Sequence, residues 1–231
     1  MRDPAVTAFF AEHPRFRLAA LGHAANFASL ELSPLGIPAQ PRDAAREPAL
    51  VARYHQANAA RFGGPLALPG WVLVDLYLMP GAISLVLDGE EIVAAWCGVP
   101  TVTPGVVMGV SLLSLREGIG AAYVAKRCGV AMFRAAVQRG ITQWDSASLR
   151  SHTRLGPLRV VGPAPAAHGE AARSFVYECA ISASQSAPSR WMDPADGPAM
   201  AARAAGGESV WVVAPGAAGG RVALRVGAQR E

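Results

Sequence analysis

The chain has 231 residues, of which 52% are hydrophobic and 16% are charged, and its formal net charge is +4. This length suits one sizeable core, alone or with a small appendage, and the apolar composition excludes general disorder, which needs low hydrophobicity and high net charge. The basic residues do not cluster around aromatic side chains, so no nucleic-acid partner is expected.

The N-terminal 70 residues predict helices and less certain strands. A short helix is expected within Thr7–Glu12. Helix formers with apolar residues at near-helical spacing predict a longer helix over Asp43–Phe62. Asp43 is a candidate N-cap, but Pro48 suits a first helical turn, so the longer helix is expected to start near Glu47.

Strand-like runs and turn signals alternate from Trp71 to Leu115, which predicts about four antiparallel strands. The clearest pair is Ala82–Leu87 and Ile92–Cys97, joined by an Asp-Gly turn. The uncharged run Ile92–Leu115 is long enough to span a bilayer, but its Pro, Thr and Gly residues at 100–105 indicate a turn between two buried strands. We therefore expect no membrane span, because a turn at mid-depth would leave backbone groups unpaired in lipid.

The pattern becomes helical over Ala121–Arg139, where an apolar stripe follows one face. Arg127 and Arg134 lie together on another face, which we interpret as solvated. Gly140 is the expected C-cap, and a strand is expected at Ile141–Ser146. Two more strands are predicted, at Leu158–Val161 and Ser174–Ile181.

The composition changes after residue 181. Residues Ser182–Gly207 are rich in Ser, Ala, Pro and Gly and are interpreted as a linker with one short helix near Pro198–Ala205. Residues Glu208–Gly227 predict a terminal hairpin, which is marginal alone and is expected to cover a sheet edge or to pair with another subunit in a homodimer. The predicted division is therefore a main domain over 1–181 and an extension over 182–231.

The cysteines and histidines exclude several kinds of chemistry. Three well-separated cysteines without a CxxC motif are expected to be buried, reduced thiols, which together with the absence of a signal-peptide pattern favours a cytoplasmic protein. No histidine pair has metal-ligand spacing, so no metal is expected. No GxSxG elbow precedes a predicted helix, so the sequence offers no anchor for a hydrolase triad. The residues concerned are Cys97, Cys128, Cys179, His13, His23, His55, His152 and His168.

The stretch "SLREGIGAAYVAKR", residues 114–127, places a glycine turn between a predicted strand and a predicted helix. This order makes an anion site, because backbone N–H groups point outward and the helix dipole adds partial positive charge. A P-loop is excluded, since no lysine follows Gly118 or Gly120 at the required spacing. A dinucleotide fingerprint is excluded, since Tyr123 occupies the third glycine position.

From about residue 82 to 181 the chain resembles the GCN5-related N-acetyltransferase (GNAT) superfamily. "AISLVLDGEEIVAAW" is similar to the central hairpin of that family, "VVMGVSLLSL" to its fourth strand, "REGIG" to its coenzyme A loop, and Ala121–Arg139 to its central helix. The resemblance implies an α+β fold of the acyl-CoA N-acyltransferase type, with a mixed, largely antiparallel sheet and a central helix.

The resemblance also implies a cofactor-binding region for acetyl-CoA or another acyl-CoA as cosubstrate. The family loop is written [RQ]xxGx[GA], and aligning its glycines puts Leu115 at the first position and an arginine one residue later. The loop amides would hold the pyrophosphate, and amides of the fourth strand would polarise the thioester carbonyl. The implied residues are Val110, Ser111, Leu112, Arg116, Gly118, Gly120 and Ala121.

A second family pattern, NxxAxxLYxxxGF, contains a tyrosine that protonates the leaving thiolate of coenzyme A. "DSASLRSHTRLGPL" aligns with it by Gly156, which places His152 at the tyrosine position and Asp145 at the asparagine position. An imidazole can donate a proton at neutral pH as readily as a phenol. His152 is therefore the implied catalytic acid.

The implied function is transfer of an acyl group from an acyl-CoA to an unidentified acceptor, an amine by preference. No acid lies in Val106–Leu115, where many amine acetyltransferases place a general base, and Asp75 is interpreted as lying on an exposed sheet face. Two alternatives stay open. One is a non-catalytic GNAT-like binding protein, and the other is an unrelated α+β thioester enzyme of the hot-dog type.

Overall fold

A strand hairpin whose side chains are almost all buried forms the centre of the N-terminal part of the molecule. The computed structural model describes residues 3–63, 81–166, 168 and 170–227, and the chain divides into two compact units, Met1–Ala135 and Ala136–Glu231. The elements described in the first unit are α1 (Pro4–Glu12), β1 (Phe16–Gly22), β2 (Ala39–Asp43), α2 (Pro48–Phe62), β3 (Ala82–Asp88), β4 (Glu91–Pro100), β5 (Val106–Ser114) and α3 (Ala121–Met132).

The strands of the first unit lie in the order β2-β1-β3-β4-β5. β2 runs parallel to β1, and the other neighbouring pairs are antiparallel. At the β3–β4 turn, Asp88 pairs with Glu91, and Gly89 has a φ of +60°, as an Asp-Gly hairpin turn requires. The α+β class and the mixed, largely antiparallel sheet are confirmed.

The two faces of this sheet pack against different helices. On one face, Leu50 and Tyr54 of α2 join a buried apolar cluster. On the other face, Trp96 of β4 lies so close to Gly129 of α3 that a Cβ there would come within 2.2 Å of the indole ring. The helix that follows the glycine turn is therefore held tightly against β4. The sheet residues of the α2 cluster are Ala19, Leu21, Ile83, Leu85, Leu87, Ile92, Ala95, Cys97 and Leu113.

The helix predicted over Ala121–Arg139 is shorter in the structure and ends at Met132. Its end is a Schellman motif, in which Ala135 N–H donates to Val130 O at 3.3 Å and Arg134 N–H donates to Ala131 O at 2.9 Å. Arg134 takes the left-handed conformation, with a φ of +52°, that glycine usually supplies. The sequence therefore gives no clear signal for this helix end, because the left-handed position is occupied by an arginine and not by a glycine.

Gly140, the expected C-cap, is instead a strand residue. It lies within β6 (Val137–Gln143), which begins four residues before the predicted strand. A Cβ at this position would come within 2.7 Å of the Tyr177 hydroxyl oxygen. Gly140 is therefore explained by close packing within the sheet and not by a helix end.

The uncharged run Ile92–Leu115 forms most of β4 and β5. The predicted turn between them is confirmed, with Gly105 at a φ of +73°. Among the helices in the described part of the chain, none has the length and apolar character needed to cross a membrane. The strand predicted at the start of the Trp71–Leu115 segment and Asp75 lie outside the described residues.

The second unit is built from antiparallel strands in the order β6-β8-β7-β10-β11-β9. One short helix precedes β7, and a longer one precedes β10. The further elements described here are α4 (Leu149–Thr153), β7 (Leu158–Pro163), β8 (Ser174–Ala180), β9 (Arg190–Met192), α5 (Gly197–Ala205), β10 (Ser209–Ala218) and β11 (Arg221–Gly227).

The predicted terminal hairpin is confirmed as β10 and β11. It continues the sheet of the second unit, because Trp211 and Val212 pair with Arg159 and Leu158 of β7. The other side of β11 pairs with the three-residue strand β9. The predicted short helix is confirmed as α5, whereas the domain boundary at residue 181 and a homodimer through the hairpin stay predictions.

Candidate functional site

The glycine turn between β5 and α3 is an open loop that only glycine can form without strain. Gly118 and Gly120 have φ values of +80° and +79°, in the region where other residues are strained. Both are exposed, and a Cβ at either position would have no neighbouring atom within 4 Å. A ligand can therefore approach the backbone of this loop closely.

The turn ends at the N-terminus of α3. Gly120 is the N-cap and provides no side-chain hydrogen bond, and the first intrahelical bond runs from Val124 N–H to Gly120 O at 3.3 Å. The N–H groups of the first turn, beginning at the buried Ala121, have no acceptor within the helix. Together with the helix dipole, they make this end chemically suited to an anion.

The guanidinium of Arg116 faces the β3–β4 hairpin. It donates to Asp88 Oδ2 at 2.8 Å and to Glu91 Oε2 at 3.1 Å, and it lies 5.5 Å from the centre of the Phe16 ring. The hydrogen bond from Arg116 lowers the pKa of Asp88, and the same bond raises the pKa of Arg116. Arg116 therefore ties the start of the loop to the hairpin, and its contact with a phosphate stays a prediction.

A β-bulge interrupts the ladder between β4 and β5 at Val110. Ser111 pairs with Cys97 and Gly109 pairs with Gly98, so Val110 is an extra residue on its strand. A bulge of this kind leaves backbone polar groups out of the regular ladder. The GNAT resemblance implies such amides, available to polarise a thioester carbonyl, at Val110, Ser111 and Leu112.

Tyr54 is a residue of this region that the sequence analysis did not single out. Its hydroxyl lies 2.6 Å from Ser111 Oγ, and both side chains are buried. The contact joins α2 to β5 one residue after the bulge. Tyr54 was predicted only as an apolar position of its helix, and no local signal relates it to a residue 57 positions away.

His152 lies in the second unit, on α4, and its side chain is buried. Its Nε2 is 3.0 Å from Ser148 Oγ, and its Nδ1 is 3.3 Å from the Tyr177 hydroxyl. The Tyr177 hydroxyl also accepts a hydrogen bond from Gln138 Nε2 at 3.0 Å. His152 is therefore part of a polar network that the sequence analysis missed, although Ser148 precedes it by one helical turn.

Two arginines predicted on a solvated helix face are both engaged in ion pairs. Arg127 is buried, and its Nε donates to Asp3 Oδ2 at 2.9 Å. Asp3 also accepts from Tyr123, and it caps α1. Arg134 is exposed and pairs with Glu31 at 3.4 Å. The solvated interpretation is wrong for Arg127, because its partner comes from a distant part of the chain.

The three cysteines are buried and no disulfide joins them, as predicted. Burial raises the pKa of Cys97 and that of Cys128 to about 12, so neither thiol ionises at neutral pH. Within residues 3–63, 81–166, 168 and 170–227, no group of three His, Cys, Asp or Glu side chains has the arrangement of a metal site.

No protein-family model and no curated protein matches the sequence. Solved structures similar to this chain include the aminoglycoside 6'-N-acetyltransferase from Enterococcus faecium, at 12% identity and a TM-score of 0.44, covering 61% of this chain and 96% of the other. Diaminobutyrate acetyltransferase from Paenibacillus lautus, in complex with L-2,4-diaminobutyric acid and coenzyme A, has 12% identity and a TM-score of 0.44, covering 61% and 93%.

A GNAT-family acetyltransferase from Bacillus anthracis has 10% identity and a TM-score of 0.43, covering 58% of this chain and 89% of the other. Because these identities and TM-scores are low, no substrate or catalytic residue is carried over from these proteins. The chain is thus similar to acetyltransferases of known structure, including a GNAT-family member.

Proposed function

We propose that the protein transfers an acyl group from an acyl-CoA thioester to an amine acceptor. The observation that carries this proposal is the continuous path from the bulged strand β5 through the glycine turn into α3. Gly118 and Gly120 of the turn have positive φ values and open space around them. Such a loop suits a pyrophosphate, which approaches backbone amides more closely than a Cβ would allow.

Each part of the path has a separate task in the proposed reaction. The acyl thioester brings an activated carbonyl carbon and a thiolate leaving group. The N–H groups of residues 118–121 would hold the pyrophosphate, and those near Val110–Leu112 would polarise the carbonyl. The amine nitrogen forms a bond to the carbonyl carbon, the carbon–sulfur bond breaks, and the amine proton ends on sulfur, with His152 as the proposed proton donor.

Calorimetry tests the proposal with three ligands. We expect acetyl-CoA and free CoA to bind, and ATP to bind more weakly because it lacks the pantetheine arm. A folded protein that binds neither acetyl-CoA nor CoA would contradict the acyltransferase proposal. Amine acceptors then follow in a thiol-release assay, which Cys97 and Cys128 do not disturb because their thiols stay protonated.

Gly120→Glu is the decisive variant, because it places a bulky negative charge in the loop. We expect at least about a hundredfold loss of affinity for CoA, which is about 2.7 kcal/mol. Gly105→Glu is the matched control. Gly105 also has a positive φ and open space around it, but it lies in the β4–β5 turn, at the other end of β5 from the loop. Equal loss of CoA affinity in both variants would contradict the loop assignment.

A second candidate, a non-catalytic binding protein, is favoured by the carboxylate partners of Arg116 and by the lack of an acid on β5. The same assays separate the two functions. Binding of acetyl-CoA with CoA release in the presence of an amine supports the enzyme. Binding without release, across small amines, amino acids and peptide lysines, supports the binding protein.

A further inference from the structure

A cavity of about 320 Å³ lies in the second unit, beside the end of the ladder between β6 and β8. Just beyond the last pair of this ladder, Trp144 N–H donates to Arg173 O at 2.9 Å, and the side chains of both residues line the cavity. The segment that leads into α5 forms another wall. The volume is at the small end of the range for ligand sites, which suits a molecule much smaller than CoA.

The indole of Trp144 forms the base of the cavity and carries an unused hydrogen-bond donor. This side chain is only 1% exposed. Its Nε1 is buried and has no hydrogen-bond partner among the residues that the structure describes. A buried N–H without an acceptor is unfavourable, and a ligand oxygen beside it would remove that penalty.

The position of the indole is fixed by its neighbours. Phe175 stacks on it with the ring centres 3.9 Å apart. A Cβ at Gly197 would come within 2.3 Å of the indole atoms Cδ1 and Cγ. The five-membered ring, which carries Nε1, therefore lies against the segment that lines the cavity.

The rim of the cavity carries a guanidinium and a carboxylate side by side. Arg173 Nη2 donates to Asp145 Oδ2, and Arg173 Nη1 lies 3.7 Å from Glu170 Oε2. The hydrogen bond uses one of five guanidinium N–H groups and one of two carboxylate oxygens, so Arg173 and Asp145 can both bind a ligand as well. Their side chains are 56% and 42% exposed. Because two carboxylates face one guanidinium, the rim has an excess of negative charge, which favours an ammonium group.

We propose that this cavity binds an apolar α-amino acid as a zwitterion. The ligand carboxylate accepts hydrogen bonds from Arg173 and from Trp144 Nε1, and the ligand ammonium donates to the second oxygen of Asp145. The ligand side chain lies against an apolar wall. This wall is formed by Ala172, Pro194, Ala195 and Pro198.

The three polar groups match both charges of an amino acid, whereas a simple carboxylate or a simple amine would leave one of the groups unused. All of the residues belong to the second unit. The site is therefore independent of the proposed acyl transfer, and its test needs no acyl-CoA.

Binding is measured by NMR titration of the protein with L-alanine, L-leucine and L-phenylalanine. We expect a dissociation constant of about 10 µM to 1 mM for the tightest of them, because the contacts are few. For leucine, 4-methylpentanoate lacks the ammonium and 3-methylbutylamine lacks the carboxylate, and each should bind at least about tenfold more weakly. Absence of binding by all three amino acids up to about 10 mM, or equal affinity for leucine and both analogues, would overturn the proposal.

The indole N–H signal of Trp144 reports the contact with the ligand directly. It is identified in ¹⁵N-labelled protein by its magnetisation transfer to the Phe175 ring. We expect this signal to move downfield on binding, because the N–H group gains an acceptor. An amino acid that binds without moving the signal would overturn the assignment of Nε1 as a ligand contact.

Two charge variants test the rim. Arg173→Gln and Asp145→Asn should each weaken amino acid binding at least about tenfold, because each removes one charge that faces the ligand. Arg203→Gln is the matched control, since Arg203 also pairs with a carboxylate, that of Glu208, but does not line the cavity. Wild-type affinity in both rim variants would overturn the proposal.

A filled cavity gives an independent test without a change of charge. Ala195 is exposed on the cavity wall, so Ala195→Phe should leave the fold intact and abolish binding. Ala199→Phe, at an exposed position of α5 outside the cavity, is the control and should bind as the wild type does. Circular dichroism checks that each variant is folded, and Ala172→Phe replaces Ala195→Phe if that variant is not. A folded occluding variant that binds with wild-type affinity would place the ligand elsewhere and overturn the proposal.

Discussion

Gly129→Ala is expected to destabilise the protein, although alanine normally favours a helix. In an exposed helix interior the change would stabilise by about 0.8–1.0 kcal/mol. Here the new Cβ would lie 2.2 Å from Trp96 Cε3, 2.7 Å from Trp96 Cζ3 and 3.0 Å from Ser84 Cβ. Carbon atoms pack at about 3.5–4.0 Å, so the indole would have to move by more than about 1 Å.

The indole has little room for that movement. Trp96 is 1% exposed, and Gly98 also lies so near that a Cβ there would come within 2.2 Å of the ring. Overpacking of a tight core costs about 1–3 kcal/mol, and an overlap of this size belongs at the upper end. After the helix-propensity gain is subtracted, we expect Gly129→Ala to lower the free energy of unfolding by about 2 kcal/mol.

Urea denaturation followed by circular dichroism measures this change. Ala122→Gly, in the first turn of the same helix, reports the intrinsic cost of glycine there, and Trp96→Phe provides a smaller ring. In the Trp96→Phe background, Gly129→Ala should cost less than about 1 kcal/mol, because the two sites couple through direct contact. A Gly129→Ala protein as stable as wild type, or an equal cost in both backgrounds, would refute the reasoning.

Three further predictions concern buried or half-buried polar groups. Burial alone would raise the pKa of Asp3, but a backbone N–H of α1 and the Arg127 guanidinium lower it below its usual value. Asp3→Asn should therefore cost about 2 kcal/mol at pH 7, and urea titrations should show this difference shrinking as the pH falls below about 4. In a double-mutant cycle, Tyr54→Phe and Ser111→Ala should couple by about 1 kcal/mol; coupling below about 0.3 kcal/mol would count against a direct hydrogen bond. The Cys97 thiol should resist a disulfide reagent at pH 8 until the protein is unfolded, and rapid labelling of the folded protein would contradict its burial.

The parts of the fold that the sequence predicts well depend on local signals. The hairpin of β3 and β4 was placed within a few residues, because an Asp-Gly turn lies between two β-branched runs. The end of α3 was misplaced by seven residues, because Arg134 adopts a conformation that usually identifies a glycine. Gly140 then suggested a false helix end.

The site was predictable only where it is continuous in sequence. The glycine turn follows from residues 114–127 alone, and the structure gives both glycines the positive φ values that make them necessary. The polar network around His152 could not be predicted in this way, because Gln138, His152 and Tyr177 come together only when β6, α4 and β8 pack. The same reason explains Arg127, whose partner Asp3 is 124 residues away.

The bulge at Val110 separates the length of β5 from the orientation of its side chains. Because Gly109 pairs with Gly98 and Ser111 with Cys97, the strand on either side of Val110 keeps the same faces toward α2 and α3. Val110 therefore has the effect of a one-residue insertion that the sheet accommodates without rotating its neighbours. Deleting this codon would restore a regular ladder and remove the irregular amide. If the amides near Val110 polarise a thioester carbonyl as we propose, this single deletion removes that role and leaves the strand pairing intact.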